Sequence, residues 1–263
     1  MKYFEFGREN PELMVMLPGG GVCYRGAIPT AEEMAKVYHV VLVAYDGFNP
    51  DEPETEFSTT RHEARSLGDF VAENFGGKID VLYGVSYGCF ILMDVLSDER
   101  LTITTTIADG MPTMDYPDIK NPVLQNLYLL GLTGFAYTLI GRAGPIRRKI
   151  VCKMMDRTPE SFDRIVYRDA TWRSWANQDR CMIGRHKDLS LFARTDMHIW
   201  HGIRSSTEKK LAKHIAAWQE DGYAFTYKVF PDLGHGSLAG EHVERFSQEV
   251  QTAHQSSLKK CAN

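Results

Sequence analysis

Ser86 stands in the run Gly84-Val85-Ser86-Tyr87-Gly88, with a glycine two residues away on either side. An apolar run, Val81-Leu82-Tyr83, stops at Gly84, and another, Phe90-Ile91-Leu92, begins just past Gly88. A hydroxyl between two segments that are burying themselves asks for a reason. A sharp turn from strand to helix supplies one. Glycines remove side chains where strand and helix pass closely, and the serine Oγ is lifted above the sheet edge. The N–H groups of a helix that starts at Tyr87 then favour negative charge developing beside it. The chemistry this arrangement serves is nucleophilic attack by serine. The plainer use of the same residues is a turn ending in an N-cap serine.

Two other stretches carry complementary groups. Leu17-Pro18-Gly19-Gly20-Gly21 follows an apolar strand pattern, and successive glycines let the backbone approach a ligand and present free N–H groups. Gly20 is the expected oxyanion donor, with Gly21 next and Tyr87 N–H as the second donor. His235 lies between Gly234 and Gly236, after the last strand pattern. Parallel sheets place their binding crevice at that end of the strands. The other eight histidines place worse: His39 precedes a strand, His62, His214, His242 and His254 fall on helical patterns, and His186 sits among the loops after Asp109. His198 and His201, three apart on one strand, point to opposite faces and make no metal pair. No H-E-x-x-H or comparable set occurs, so no metal is expected, and nothing in the sequence suggests an organic cofactor.

The elements that must hold these groups follow from hydrophobic periodicity. Strands are expected at Tyr3–Phe6, Leu13–Leu17, Val40–Ala44, Ile79–Tyr83, Thr102–Ala108, Met197–His201 and Phe225–Phe230. Helices are expected at Thr30–Val37, Arg61–Asn74 and Tyr87–Leu96, from after His201 to about Gln219, and after Gly240. Thr60 with Glu63 reads as a capping box, and Gly76-Gly77 end that helix. Alternation of this kind means right-handed crossovers and a mainly parallel sheet. Residues 111–190 break the pattern, reading as helices and loops inserted between two strands of one sheet. The organisation expected is therefore a core of residues 1–110 and 191–263 with a helical insertion, 111–190. Within it, Val123–Ile140 carries no charge and approaches the length of a membrane span, roughly 17–25 residues. Gln125, Asn126, Thr133 and Thr138 interrupt it, so a buried or substrate-facing helix is expected, and no span. Phe135, Tyr137, Trp172 and Trp175 are candidates for the pocket or for the insertion's own core, and Arg147, Arg148 and Lys149 read as a solvated face.

The 263 residues suffice for one large α/β domain. Hydrophobic residues are 43%, charged residues 24%, and the net charge is −4, which predicts no general affinity for nucleic acid or an anionic membrane. The five cysteines are scattered with no C-x-x-C, and no apolar leader follows the N-terminus, which together suggest a reduced, cytoplasmic chain.

With Leu17-Pro18-Gly19-Gly20-Gly21, Gly84-Val85-Ser86-Tyr87-Gly88, His198-Ile199-Trp200-His201-Gly202 and Asp232-Leu233-Gly234-His235-Gly236-Ser237 in this order, the chain resembles the α/β-hydrolase superfamily. The resemblance implies that fold with a helical cap, a nucleophile at Ser86, a base at His235 and oxyanion N–H groups at Gly20 and Tyr87. Pro18 departs from the family, where histidine is common, and the N-terminal strands are reduced to one. The triad acid departs too. The family's usual position, three residues beyond Gly202, is Ser205. Glu208 is the next carboxylate, but Ser205 and Glu208 also fit a capping box. Asp109, at the end of the preceding strand, keeps the order Ser86, Asp109, His235 and is the assigned acid, with Glu208 the alternative. The activity implied is cleavage of a carboxylic ester with an apolar acyl or alcohol part, on a small-molecule substrate. A thioesterase, amidase or C–C bond hydrolase would use the same residues, and the fold also supports non-catalytic ligand binding.

Overall fold

The run Leu13-Met14-Val15-Met16-Leu17 is buried at every residue, as a strand must be when its sheet is covered on both faces. Its side chains alternate: Val15 and Leu17 join one core, Met14 and Met16 the other. A computed structural model describes residues 1–112, 116–155, 157–185, 188–202 and 208–261. In it seven strands form one sheet: β1 (Lys2–Phe6), β2 (Leu13–Leu17), β3 (His39–Ala44), β4 (Lys78–Val85), β5 (Thr102–Asp109), β6 (Asp196–Gly202) and β7 (Thr226–Phe230). Their order is β1-β3-β2-β4-β5-β6-β7. Only β1 runs antiparallel, pairing Lys2 with Ala44 and Phe6 with Val40.

The helices are α1 (Ile28–Met34), α2 (Thr60–Phe75), α3 (Gly88–Leu96), α4 (Pro122–Ala136), α5 (Pro145–Met155), α6 (Pro159–Ile165), α7 (Trp172–Arg180), α8 (Glu208–Glu220), α9 (Ser237–Glu241) and α10 (Val243–Cys261). One core joins Leu67 and Val71 of α2 and Phe90 and Ile91 of α3 to the sheet. The other joins Ala31 and Met34 of α1 and Phe246 and Val250 of α10. The cap of α2 corrects the expected capping box. Thr59, not Thr60, is the N-cap, its Oγ accepting from His62 N at 3.1 Å. Glu63 is instead buried, and neither of its oxygens has a hydrogen-bond partner among the described residues. Gly76 ends the helix at φ +60°, where a side chain would be strained.

Between β5 and β6 the described residues form α4, a π-helical turn (Tyr137–Gly141), α5, α6, α7 and a 3-10 turn (Leu189–Arg194). This segment is stitched to the loop after β2. Val22 bridges Val166 in antiparallel fashion, and Cys23 N donates to Ile165 O at 2.6 Å. Two further bonds reach the loop after β3: Phe57 N to Ser174 Oγ at 3.2 Å, and Asn177 Nδ2 to Phe57 O at 2.8 Å.

The structure overturns the buried-helix expectation for Val123–Ile140. Leu129 and Thr133 of α4 are buried, but its other face stands in solvent. Both faces are apolar, so sequence pattern alone does not reveal which one packs.

Candidate active site

β4 hands the chain to α3 at Ser86, whose φ is +54°, the one non-glycine with positive φ among the described residues. That conformation costs a residue with a side chain about 1–2 kcal/mol. It persists where surrounding packing dictates it and clusters at functional sites. The packing is explicit. A β-carbon built on Gly88 would lie 2.5 Å from the Leu17 carbonyl oxygen and 2.6 Å from that of Pro18. One built on Gly84 would lie 3.1 Å from the Gly88 backbone. The two glycines are thus required by the close passage of α3 over β2 and β4. Ser86 N donates to Asp109 O at 2.8 Å, pinning the turn to the end of β5.

Ser86 and His235 line one cavity of about 290 Å³, with Gly19, Gly20, Thr30 and Arg157. Most of the remaining wall is apolar: Leu17, Val22, Leu42, Val85, Ile140 and Ile165 among it. The glycine run crosses directly over the turn. A β-carbon on Gly19 would sit 3.6 Å from Ser86 Cβ, and one on Gly20 would sit 3.0 Å from Tyr87 Cβ. Gly21, the second-choice donor, is not available, because its N–H is held by Gln178 Oε1 at 3.1 Å. The Gly20 and Tyr87 N–H groups meet no acceptor among the described residues. Gln178 also accepts the Tyr87 hydroxyl on its backbone oxygen at 3.0 Å. One residue of α7 therefore holds both the glycine loop and Tyr87, the N-cap of the elbow helix.

His235 is partly buried at the cavity wall, and its Nδ1 has no hydrogen-bond partner among the described residues. Burial, and then the Arg157 charge, push its pKa down to about 4. His201 at the end of β6 is buried beside it, and burial with the His235 charge lowers it likewise to about 4.

Asp109 is buried at the end of β5, where burial raises its carboxyl to about 6 against the pull of Tyr83 and Arg157. Its Oδ2 accepts the Tyr83 hydroxyl at 2.8 Å. Tyr83, not His235, is thus the hydrogen-bond partner of the assigned acid. Ser205 lies outside the described residues. Glu208 opens α8, and its side chain lies outside them too.

Arg157 was not found from sequence. It is one-tenth exposed and spans from the β5–β6 segment to α9. Nη2 donates to Gly236 O at 2.9 Å, Nη1 donates to Ser161 Oγ at 3.2 Å and lies 3.5 Å from Glu241 Oε1, and Nε has no partner among the described residues. The guanidinium fills the notch at Gly240, where a β-carbon would lie 2.3 Å from Nη1. Gln178 was missed for the same reason: its partners are 157 and 91 residues away in the chain. Of the aromatic candidates, Trp175 is buried against Phe48 and the Gly21 backbone, and Tyr137 is half-buried against Trp172 and Trp175. Phe135 faces solvent, Trp172 packs T-shaped on Tyr137 beside Gly134, and neither lines the cavity. Cys89 is buried, with its thiol pushed well up by burial, and is inert packing. Away from the cavity, ligand atoms of Asp46, His62 and Glu63 lie within 4.8 Å of one another, and Asp46 Oδ1 takes the Met1 ammonium at 2.5 Å.

A family model described as "Alpha/beta hydrolase family" matches residues 14–249. The chain belongs to the alpha/beta hydrolase family. Solved structures share the fold of this alpha/beta hydrolase at low identity. A thermophilic esterase from Thermogutta terrifontis matches with a TM-score of 0.72 and 17% identity, over 97% of this chain and 93% of that one. MenH from S. aureus matches at 0.69 and 16%, over 98% of each. The epoxide hydrolase CorEH matches at 0.66 and 14%, over 97% of this chain and 94% of that one. No curated protein matches the sequence.

Proposed function

We propose that the protein is a serine hydrolase that cleaves a carboxylic ester with an apolar acyl or alcohol part. The observation that carries this reading is Ser86, held at φ +54° on a strand-to-helix turn and sharing a cavity with His235. In the reaction His235 takes the Ser86 proton as Oγ attacks the carbonyl carbon. The oxyanion lies against the Gly20 and Tyr87 N–H groups, each worth about 10²–10³ in kcat. Protonation of the leaving alcohol by His235 releases it, and the acyl-enzyme is then hydrolysed by water activated by the same histidine. Asp109 is the proposed acid, and the helical segment 111–190 the proposed cap.

A serine at the elbow, rather than a carboxylate, favours acyl transfer over epoxide opening. The apolar wall favours an apolar substituent on the ester. A thioester, an amide or an activated C–C bond would meet the same groups. The test is labelling by a fluorophosphonate together with turnover of p-nitrophenyl esters of graded chain length, and of matched thioesters and anilides. Ser86→Ala should abolish both labelling and turnover. Labelling elsewhere, with Ser86→Ala fully active, would remove the serine hydrolase reading. A stable, unlabelled and inactive wild type would favour ligand binding without catalysis.

A further inference from the structure

The outward face of α4 has no counterpart among the described residues. At 100° per residue the side opposite Leu129 and Thr133 presents Val123, Leu124, Leu127, Leu130 and Phe135. These are between 57% and 65% exposed. A helix on the surface of a globular protein places charge there, and contiguous exposed apolar patches mark interaction sites. On α5, Ile146 and Ile150 lie one turn apart at 78% and 51% exposed. Exposed Lys149 and Lys153 flank that stripe on one side and exposed Arg147 on the other. Arg147 Nη1 reaches Thr138 O at 3.4 Å, which keeps the start of α5 beside the end of the α4 face.

Charge is segregated along with the apolar groups. Residues 119–155 hold no aspartate or glutamate and six cations: Lys120, Arg142, Arg147, Arg148, Lys149 and Lys153. The whole chain carries −4, so the rest of it carries −4 − 6 = −10. Arg148 is paired with Asp163 of α6, which leaves the other cations to make a basic, apolar face on an acidic body.

We propose that the face built by α4 and α5 docks the protein on an anionic lipid surface. The apolar stripe enters the headgroup boundary and the cations meet acidic lipid, the physics of an interfacial helix. Charge decides against a second copy of the chain as occupant, because a two-fold contact would set the same cations against each other. The stretch Pro122–Gly141 is long and apolar enough to cross a membrane. Leu129 and Thr133, however, pack inward, so the helix lies on the surface while the body stays outside. The docked face runs into the turn whose Ile140 lines the catalytic cavity, so an apolar substrate dissolved in the bilayer would have a short path to Ser86.

Co-flotation with vesicles tests this, using phosphatidylcholine alone and an anionic mixture of phosphatidylcholine and phosphatidylglycerol, near whose surface each cation contributes about 1 kcal/mol. The full chain should bind the anionic vesicles at least about tenfold better than the neutral ones, and less so as salt rises. Leu127→Glu/Leu130→Glu should abolish binding while leaving thermal stability and turnover of a soluble acetate ester unchanged. Lys149→Gln/Lys153→Gln should weaken it, by about fivefold for each cation lost. Absence of vesicle binding by the wild type, or binding that both double variants retain, overturns the proposal. So does sedimentation showing a dimer that Leu127→Glu/Leu130→Glu dissolves, which would make a second copy the occupant.

Discussion

Gly110 makes room for the His235 ring: a β-carbon there would lie 2.6 Å from Cε1 and 2.8 Å from Nδ1. The glycine follows Asp109 directly and sits at φ +59°. The end of β5 thus presents a carboxylate and, one residue later, the space for a base. Gly110→Ala should displace the imidazole and lower kcat more than about tenfold on every ester, since misplacement of about 1 Å can cost 10²-fold. Steady-state kinetics beside a thermal melt would check this. Unchanged kcat in a folded variant would take His235 out of the reaction.

The elbow makes a separable prediction. Ser86→Gly and Ser86→Ala both remove the hydroxyl and should both be inactive. Only glycine occupies φ +54° without strain, so Ser86→Gly should be the more stable of the two by about 1 kcal/mol. Chemical denaturation of the pair measures it. Equal stability would mean that the turn relaxes when the hydroxyl is lost.

The pH profile distinguishes the two groups of the proposed relay. His235 must be neutral to act and is held at about 4, whereas Asp109 must be ionised to orient it and is held at about 6. If Asp109 is the acid, kcat/KM should fall as pH drops through about 6. Asp109→Asn should lower kcat by up to about 10⁴ and move the acid limb of the residual activity toward 4. Because its folded pKa is raised, the Asp109 contribution to stability is present below its unfolded value and lost as pH rises through about 6. The Asn variant should therefore melt higher than wild type at pH 8 and not at pH 4. Glu208→Gln should cost about 1 kcal/mol or less and little activity. The reverse kinetic pattern in the two variants would move the acid to Glu208.

Glu63 gives a stability switch remote from the cavity. Burial, and then the Asp46 charge, raise its carboxyl to about 8. Folding favours its protonated form, so its stabilisation is full below its unfolded pKa and disappears as pH climbs through about 8. Glu63→Gln should raise Tm at pH 9 by at least about 2 °C, and by little or nothing at pH 5. A lower Tm at pH 9 would mean that the carboxylate is used, for instance by a metal shared with Asp46 and His62.

Strands were legible because the middle of the sheet is covered on both faces, which makes β2, β3 and most of β4 near-continuous apolar runs. Each of the seven lies within two residues of its expected bounds, and the two glycines around Ser86 announced the close passage that they make possible. The Thr59 cap was displaced by one residue because Thr59 and Thr60 offer the same hydroxyl. The orientation of α4 was not legible, since periodicity finds a packed face only when the other face is polar. Arg157 and Gln178 were invisible for a different reason. Neither belongs to a local pattern, and their roles exist only once the β5–β6 segment folds back onto β2 and α9.

That folding back has a mechanical consequence. The loop presenting Gly20 is fastened to the segment above it by the Val22–Val166 bridge, by Cys23 N to Ile165 O, and by Gly21 N to Gln178. The segment above the cavity cannot lift without tugging the loop proposed to cradle the charge. A gate that opened this way would disengage the catalyst in the same stroke, as a clutch does, so bond cleavage and the exchange of product for substrate would belong to alternating phases of each cycle.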